Sequence, residues 1–79
     1  MKLIDKLNRY LEDKKYQIII RDNFVNIINI EEIIDFSINK IIVKCNQEKI
    51  TIEGKNLIIS KMLEDEVLIT GIVQNVRIN

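Results

Sequence analysis

The sequence predicts a mainly β (α+β) domain: an N-terminal amphipathic helix followed by a small antiparallel β-meander, closed or nearly closed as a sandwich or barrel. Three observations carry this. The apolar spacing follows a helical period up to residue 15 and a period of two from Tyr16 onward. Beyond Tyr16, short clusters rich in isoleucine and valine recur, and their branched Cβ atoms suit a pleated surface. Polar punctuation separates the clusters at roughly eight to ten residues, the spacing of an antiparallel meander.

In residues 2–15, KLIDKLNRYLEDKK, the apolar positions Leu3, Ile4, Leu7, Tyr10 and Leu11 form one helical stripe. Charged residues fill the intervals, and Lys14 and Lys15 lie at the C-terminal end, where the helix dipole favours cations. A helix of about three to four turns is marginal alone in water. The stripe is therefore expected to cover this chain's own sheet, or else to dock on a membrane surface or a partner.

The β-patterned clusters fall at residues 18–20, 24–28, 33–38, 41–45, 50–52, 57–59, 67–69 and 72–78, which gives about five to eight strands. Punctuation lies at 21–23, 46–49, 53–56 and 64–66. Segment 30–36 fits either one helical turn or a strand with a bulge. Ile50 and Ile52 point to one face, and Gly54 is read as the turn of a hairpin. Leu57, Ile58 and Ile59, then Val67 to Ile69 with Ile72 and Val73, put apolar side chains on both faces, which predicts strands covered on both sides. One cover is the helix or a second sheet, and the other is a further copy of the chain. Gly71, inside an apolar run, marks a bulge, a bend or a close backbone approach. The expected core is Leu7, Leu11, Ile41, Val43, Ile50, Ile52, Leu57, Ile59, Val67, Ile69 and Ile78.

At 79 residues the chain reads as a single domain, residues 1–79, with the helix over 2–15 and the β-domain over 16–79. A domain of this size buries only about 60% of its unfolded surface, so its stability is modest. Cys45, the single cysteine, closes no bridge within the chain, and this fits a reducing, cytoplasmic compartment. Asp5 and Lys6 interrupt what would be a signal-peptide core. No apolar run exceeds three residues, against the roughly 20 needed to span a bilayer. Twelve basic and twelve acidic residues balance, so no strong field draws the protein to nucleic acid or an acidic surface.

Little in the sequence suggests a reaction. Without histidine, and with one cysteine, neither a Cys-His pair nor a zinc site of nitrogen and sulfur ligands assembles within one chain. Cys45 reads as a small apolar residue near a strand end. Glu31, Glu32 and Asp35, and Glu64, Asp65 and Glu66, read as solvated loops that lack the alternation of a calcium loop. No catalytic residue, metal or cofactor is expected, and the chain is not read as an enzyme. A helix followed by a short β-meander is also the layout of Sm-like RNA-binding rings, and that is the alternative reading. It lacks the basic rim and stacking aromatics such modules use, since the aromatics are only Tyr10, Tyr16, Phe24 and Phe36.

The pattern Ile50-x-Ile52-x-Gly54-x-x-Leu57-x-Ile59-x-x-Met62, then Val67-x-Ile69-x-Gly71-x-Val73, resembles the C-terminal half of the YabP/YqfC family of sporulation proteins. The short length and the N-terminal stripe point to its YqfC branch. Two positions depart from the family pattern: Glu48 stands where a glycine is common, and Phe24 follows the early turn where another would close it. Both are turn positions and bear on loop geometry rather than fold. The resemblance makes Gly54, Leu57, Ile59 and Gly71 structural residues. It implies a non-enzymatic assembly or scaffold factor of endospore-forming Firmicutes, acting in the mother cell with a polytopic membrane protein of the YqfD type. Homo-oligomers are expected, with no small-molecule substrate, and the location is cytoplasmic or peripheral at the membrane around the forespore. Lys2, Lys6 and Arg9 are the candidate membrane-facing or partner-facing cations.

Overall fold

The computed structural model describes residues 16–79. The expected helix over 2–15, with the core positions Leu7 and Leu11 and the cations Lys2, Lys6 and Arg9, lies outside the described residues. Six strands follow one another: β1 (Gln17–Arg21), β2 (Phe24–Ile28), β3 (Glu32–Phe36), β4 (Lys40–Cys45), β5 (Glu48–Met62) and β6 (Glu66–Ile78). They form one sheet in the order β1-β2-β6-β5-β4-β3, with every neighbouring pair antiparallel. The described residues are thus mainly β, as the alternation predicts.

The polar punctuation at 21–23, 46–49 and 64–66 does become turns. Arg21 pairs with Phe24 across Asp22 and Asn23, and Cys45 pairs with Glu48 across Asn46 and Gln47. Asn46 takes a φ of 58°, a left-handed conformation that asparagine tolerates better than most residues. Leu63 N–H donates to the carbonyl of Glu66 at 2.8 Å to close the β5–β6 connection. Of the two readings of 30–36, the strand is the one found. β3 pairs with β4 and its register shifts between Ile33 and Asp35, so it carries a bulge and not a helical turn.

Every second residue of β2, β4 and the start of β5 faces one core. Val25 and Ile27, then Ile41, Val43 and Cys45, then Ile50 and Ile52, are buried, and Leu57, Val67 and Ile69 join them from the long strands. Ile30, in the β2–β3 connection, completes the cluster. β2 and β4 are separated in the sheet by β6 and β5 yet share this core, so the sheet curls until its two halves enclose a common interior. Full burial of each isoleucine contributes about 1.5–3 kcal/mol. Tyr16 Oη donates to Glu48 Oε1 at 2.6 Å and ties the start of β1 to the start of β5. Asn29 and Ile30 N–H donate to the Asp65 carbonyl at 2.6 and 3.0 Å, which fixes the crossing from one half to the other.

Three expectations are corrected, the first being the simple meander: β2 pairs with β6 and not with β3, so the sequential order breaks after β2. Gly54 is not a hairpin turn. β5 runs unbroken through it, 15 residues long, and Gly54 pairs with Val73. Its N–H donates to the Asn39 carbonyl at 3.0 Å. The positive φ expected there occurs two residues on, at Asn56 (54°), beside a register shift between Lys55 and Ile58. The polar run 53–56 is therefore a bulged bend within one strand. Likewise 67–69 and 72–78 merge into β6, so eight apolar clusters give six strands.

Ile78, expected in the core, is 48% exposed. It pairs with Ile50 near the end of β6, and β2 covers β6 only from Glu66 to Thr70, so among the described residues no strand flanks Ile78 on its other side. The helix and the further copy expected to cover the long strands lie outside the described residues, among which Ile58 and Ile72 are 60% and 54% exposed. Ile59, also expected inside, is partly buried and packs against the core.

Candidate functional site

The middle of the β5–β6 ribbon is where the two glycines of the sequence sit. A Cβ on Gly54 would collide with the Ile72 carbonyl, and one on Gly71 would lie 2.6 Å from the Asn56 carbonyl oxygen and 3.0 Å from that of Lys55. Gly71 also has a φ of +132°, a region that side-chain-bearing residues rarely enter. The expectation of a bulge or close backbone approach at Gly71 is met, and Gly54 shares it.

Both positions are braced by hairpin tips. Gly71 N–H and Val73 N–H donate to the carbonyls of Asn23 and Asp22, at 3.3 and 2.9 Å, from the β1–β2 turn. Gly54 N–H and Leu57 N–H donate to the carbonyls of Asn39 and Ile38, at 3.0 and 2.8 Å, from the β3–β4 turn. Each tip thus satisfies backbone donors that the bulged ladder leaves free. The arrangement repeats on either side of the ribbon with an approximate twofold relation: β1–β2 braces β6 as β3–β4 braces β5.

The second brace shapes an apolar concavity. Where the β3–β4 tip meets β5, Ile41 and Leu57 form the floor of an open groove of about 260 Å³, and Phe36, Ile38, Ile58 and Ile59 form its sides. Phe36, Ile38 and Ile58 are 67%, 63% and 60% exposed. Apolar side chains this exposed and this clustered on a core floor mark an interaction surface more often than a simple exterior. Of the residues singled out in the sequence, Leu57 and Ile59 meet in this groove, while Gly54 and Gly71 hold the strand bend that positions it. Phe36 and Ile38 lie in a predicted strand cluster, but no sequence signal separates them from core residues.

The titratable groups are less constrained. Glu31 pairs with Lys44 at 3.9 Å and Glu53 with Arg77 at 3.3 Å, both on exposed sheet surface. Asn26 donates to Glu66 Oε2 at 3.3 Å, while its own Oδ1 is buried without a partner. Burial, then the carboxylates of Glu31 and Glu48, push the Cys45 thiol up to about 11, so Cys45 is held as a neutral thiol. That chemistry suits a packing residue and not a nucleophile.

The family model described as the YabP family matches residues 12–79, which takes in every strand and both glycines. The chain belongs to the YabP family. The strands and glycines that carry the sequence pattern are thus also the elements of the braced ribbon. The YabP family comprises sporulation proteins and is not known as a family of enzymes, so membership is consistent with a sporulation-associated protein. No curated protein and no solved structure matches the chain.

Proposed function

We propose that this YabP-family protein, of the YqfC branch, is a non-enzymatic assembly or scaffold factor of endospore formation. It acts in the mother cell beside a polytopic membrane protein of the YqfD type. The observation that carries the reading is the open groove of Phe36, Ile38 and Ile58 on a floor of core residues. A groove of that size accepts one or two apolar side chains of a partner segment and supplies little that could orient a reacting polar substrate.

The protein resides on the cytoplasmic side, peripheral at the membrane around the forespore. Lys2, Lys6 and Arg9 contribute about 1 kcal/mol each near an anionic surface, which alone gives weak, salt-sensitive recruitment. The protein partner therefore supplies most of the affinity, and self-association multiplies it.

The test is affinity capture of the full chain from sporulating cells with nuclease treatment, comparing the wild type with Ile58→Asp. Position 58 is mostly exposed, so the variant keeps the core. Recovery of a polytopic membrane protein by the wild type, reduced at least tenfold by Ile58→Asp, supports the reading. Nuclease-sensitive recovery of RNA instead overturns it in favour of an Sm-like role, and undiminished capture by Ile58→Asp removes the groove from the interface.

A further inference from the structure

Among the described residues the sheet is open: β1 and β3 each have one strand neighbour, so both outer margins present backbone groups that no ladder among these residues satisfies. Six strands alternate in direction without exception, and an even number means that β1 and β3 run oppositely. A second copy set beside the first in the same orientation thus offers its β1 antiparallel to the first copy's β3.

The side chains fit that continuation. Ile20 faces the core side, opposite Val25, and Ile33 faces the core side, opposite Val43. Arg21 and Glu32 both point to the other face, opposite Phe24 and Lys44. An antiparallel register that sets Arg21 against Glu32 also sets Ile20 against Ile33 on the core face and brings Ile19 to Ile34 at the β3 bulge, where the match of faces ends before Asp35. Ile20 and Ile34 are 44% and 42% exposed in the single chain.

Charge selects the pairing. The β3 margin carries Glu31, Glu32 and Asp35 with no base, and among the described residues only Glu31 is engaged, by Lys44. Two β3 margins together set like charges opposite one another, which destabilises. Two β1 margins together set Arg21 against Gln17 and leave both acidic margins unpaired. Among the described residues Arg21 reaches the neighbouring Ile20 carbonyl at 2.9 Å and no carboxylate. The other free antiparallel stretch, the end of β6, has Arg77 already held by Glu53.

We propose that copies of this chain assemble head to tail by strand addition, β1 of one copy on β3 of the next, with Arg21 against Glu32. This rests on the proposed self-association and adds its geometry. Because the contact joins two different margins, it propagates as a closed ring or an open filament and not as a twofold dimer.

Sedimentation of the full chain tests it, with Arg21→Glu, Glu32→Arg and the double variant, each checked by circular dichroism. The expected result is a wild type larger than a dimer, at least tenfold weaker association in each single variant, and recovery in the double variant. Ile34→Lys, on the same margin, is expected to weaken association as well. Wild-type-sized assemblies in the single variants, or a double variant that stays dissociated, overturn the geometry while leaving self-association in place. A wild type that is monomeric at high concentration overturns both.

Discussion

Gly54 and Gly71 stand in reciprocal contact across the β5–β6 ribbon: the Ile72 carbonyl, next to Gly71, fills the space a Gly54 side chain needs, and the Asn56 carbonyl, two residues from Gly54, lies 2.6 Å from where a Gly71 side chain would begin. Both obstacles are backbone, which cannot rotate aside as a side chain tip can. The two strands approach this closely because neither carries a Cβ at the crossing.

Alanine at either position is therefore expected to destabilise the fold. For Gly54→Ala, overpacking against backbone costs about 1–3 kcal/mol. Gly71→Ala adds about 1–3 kcal/mol of strain at a φ of +132°. Thermal midpoints should fall by about 4–8 °C per kcal/mol for a domain of this size. A midpoint within 2 °C of the wild type for Gly71→Ala would contradict the close approach.

Cys45 predicts a specific alkaline weakness. Its thiol is raised in the folded state to about 11 from 9.0, so below pH 9 both folded and unfolded chains hold the proton and nothing is lost. Between pH 9 and 11 the unfolded chain releases the proton first. Stability falls across that window, at a limiting rate of about 1.4 kcal/mol per pH unit. Cys45→Ala lowers stability at pH 7 because it leaves a cavity, but it should remove this component of the alkaline fall. Urea midpoints of the two proteins at pH 8 and 10.5 give the comparison, and equal losses in both would refute it.

Asn26 is the place where the fold can be improved. Its Oδ1 is buried without a donor, and its neighbours across the sheet are Ile19 and Leu68. Replacing such a group with a branched apolar side chain removes a desolvation cost of about 1–3 kcal/mol and gives up one long hydrogen bond to Glu66, worth about 1 kcal/mol. Asn26→Val should leave the urea midpoint unchanged or raise it. A clear fall would mean that the amide is better satisfied than the contacts indicate.

Much of this architecture is legible in the sequence, and the misreadings have physical causes. Isoleucine and valine clusters between short polar turns locate β1 to β4, with a buried alternate face in β2 and β4 and only partly buried residues in β1 and β3. The alternation fails inside β5, where Ile50 and Ile52 are even-numbered and Leu57 is odd. A change of parity around a glycine is produced equally by a turn and by a bulge, and only the braces from Asn39 and Ile38 decide for the bulge. Ile78 has the right parity for the core, but its burial depends on whether a strand lies beyond β6, which no local pattern encodes. The groove is hidden for a related reason: Phe36 and Ile38 are apolar, as core residues are, and only the three-dimensional position of the β3–β4 tip leaves them open.

The two hairpin tips also set an order of events. The β3–β4 tip reaches Gly54 and Leu57 within a continuous stretch of chain, so that brace closes a short loop. The β1–β2 tip must wait for Gly71 and Val73, some fifty residues later, before its carbonyls find donors. Loop closure over that separation is slow compared with local hairpin formation. During synthesis the early hairpin is therefore without its seat until β6, the last of the six strands, has emerged, and the inner edge of its β2, which β6 will occupy, remains exposed to neighbouring chains for that interval. Synthesis rate and the crowding of nascent copies then bear on whether a chain completes its own sheet or is captured by another.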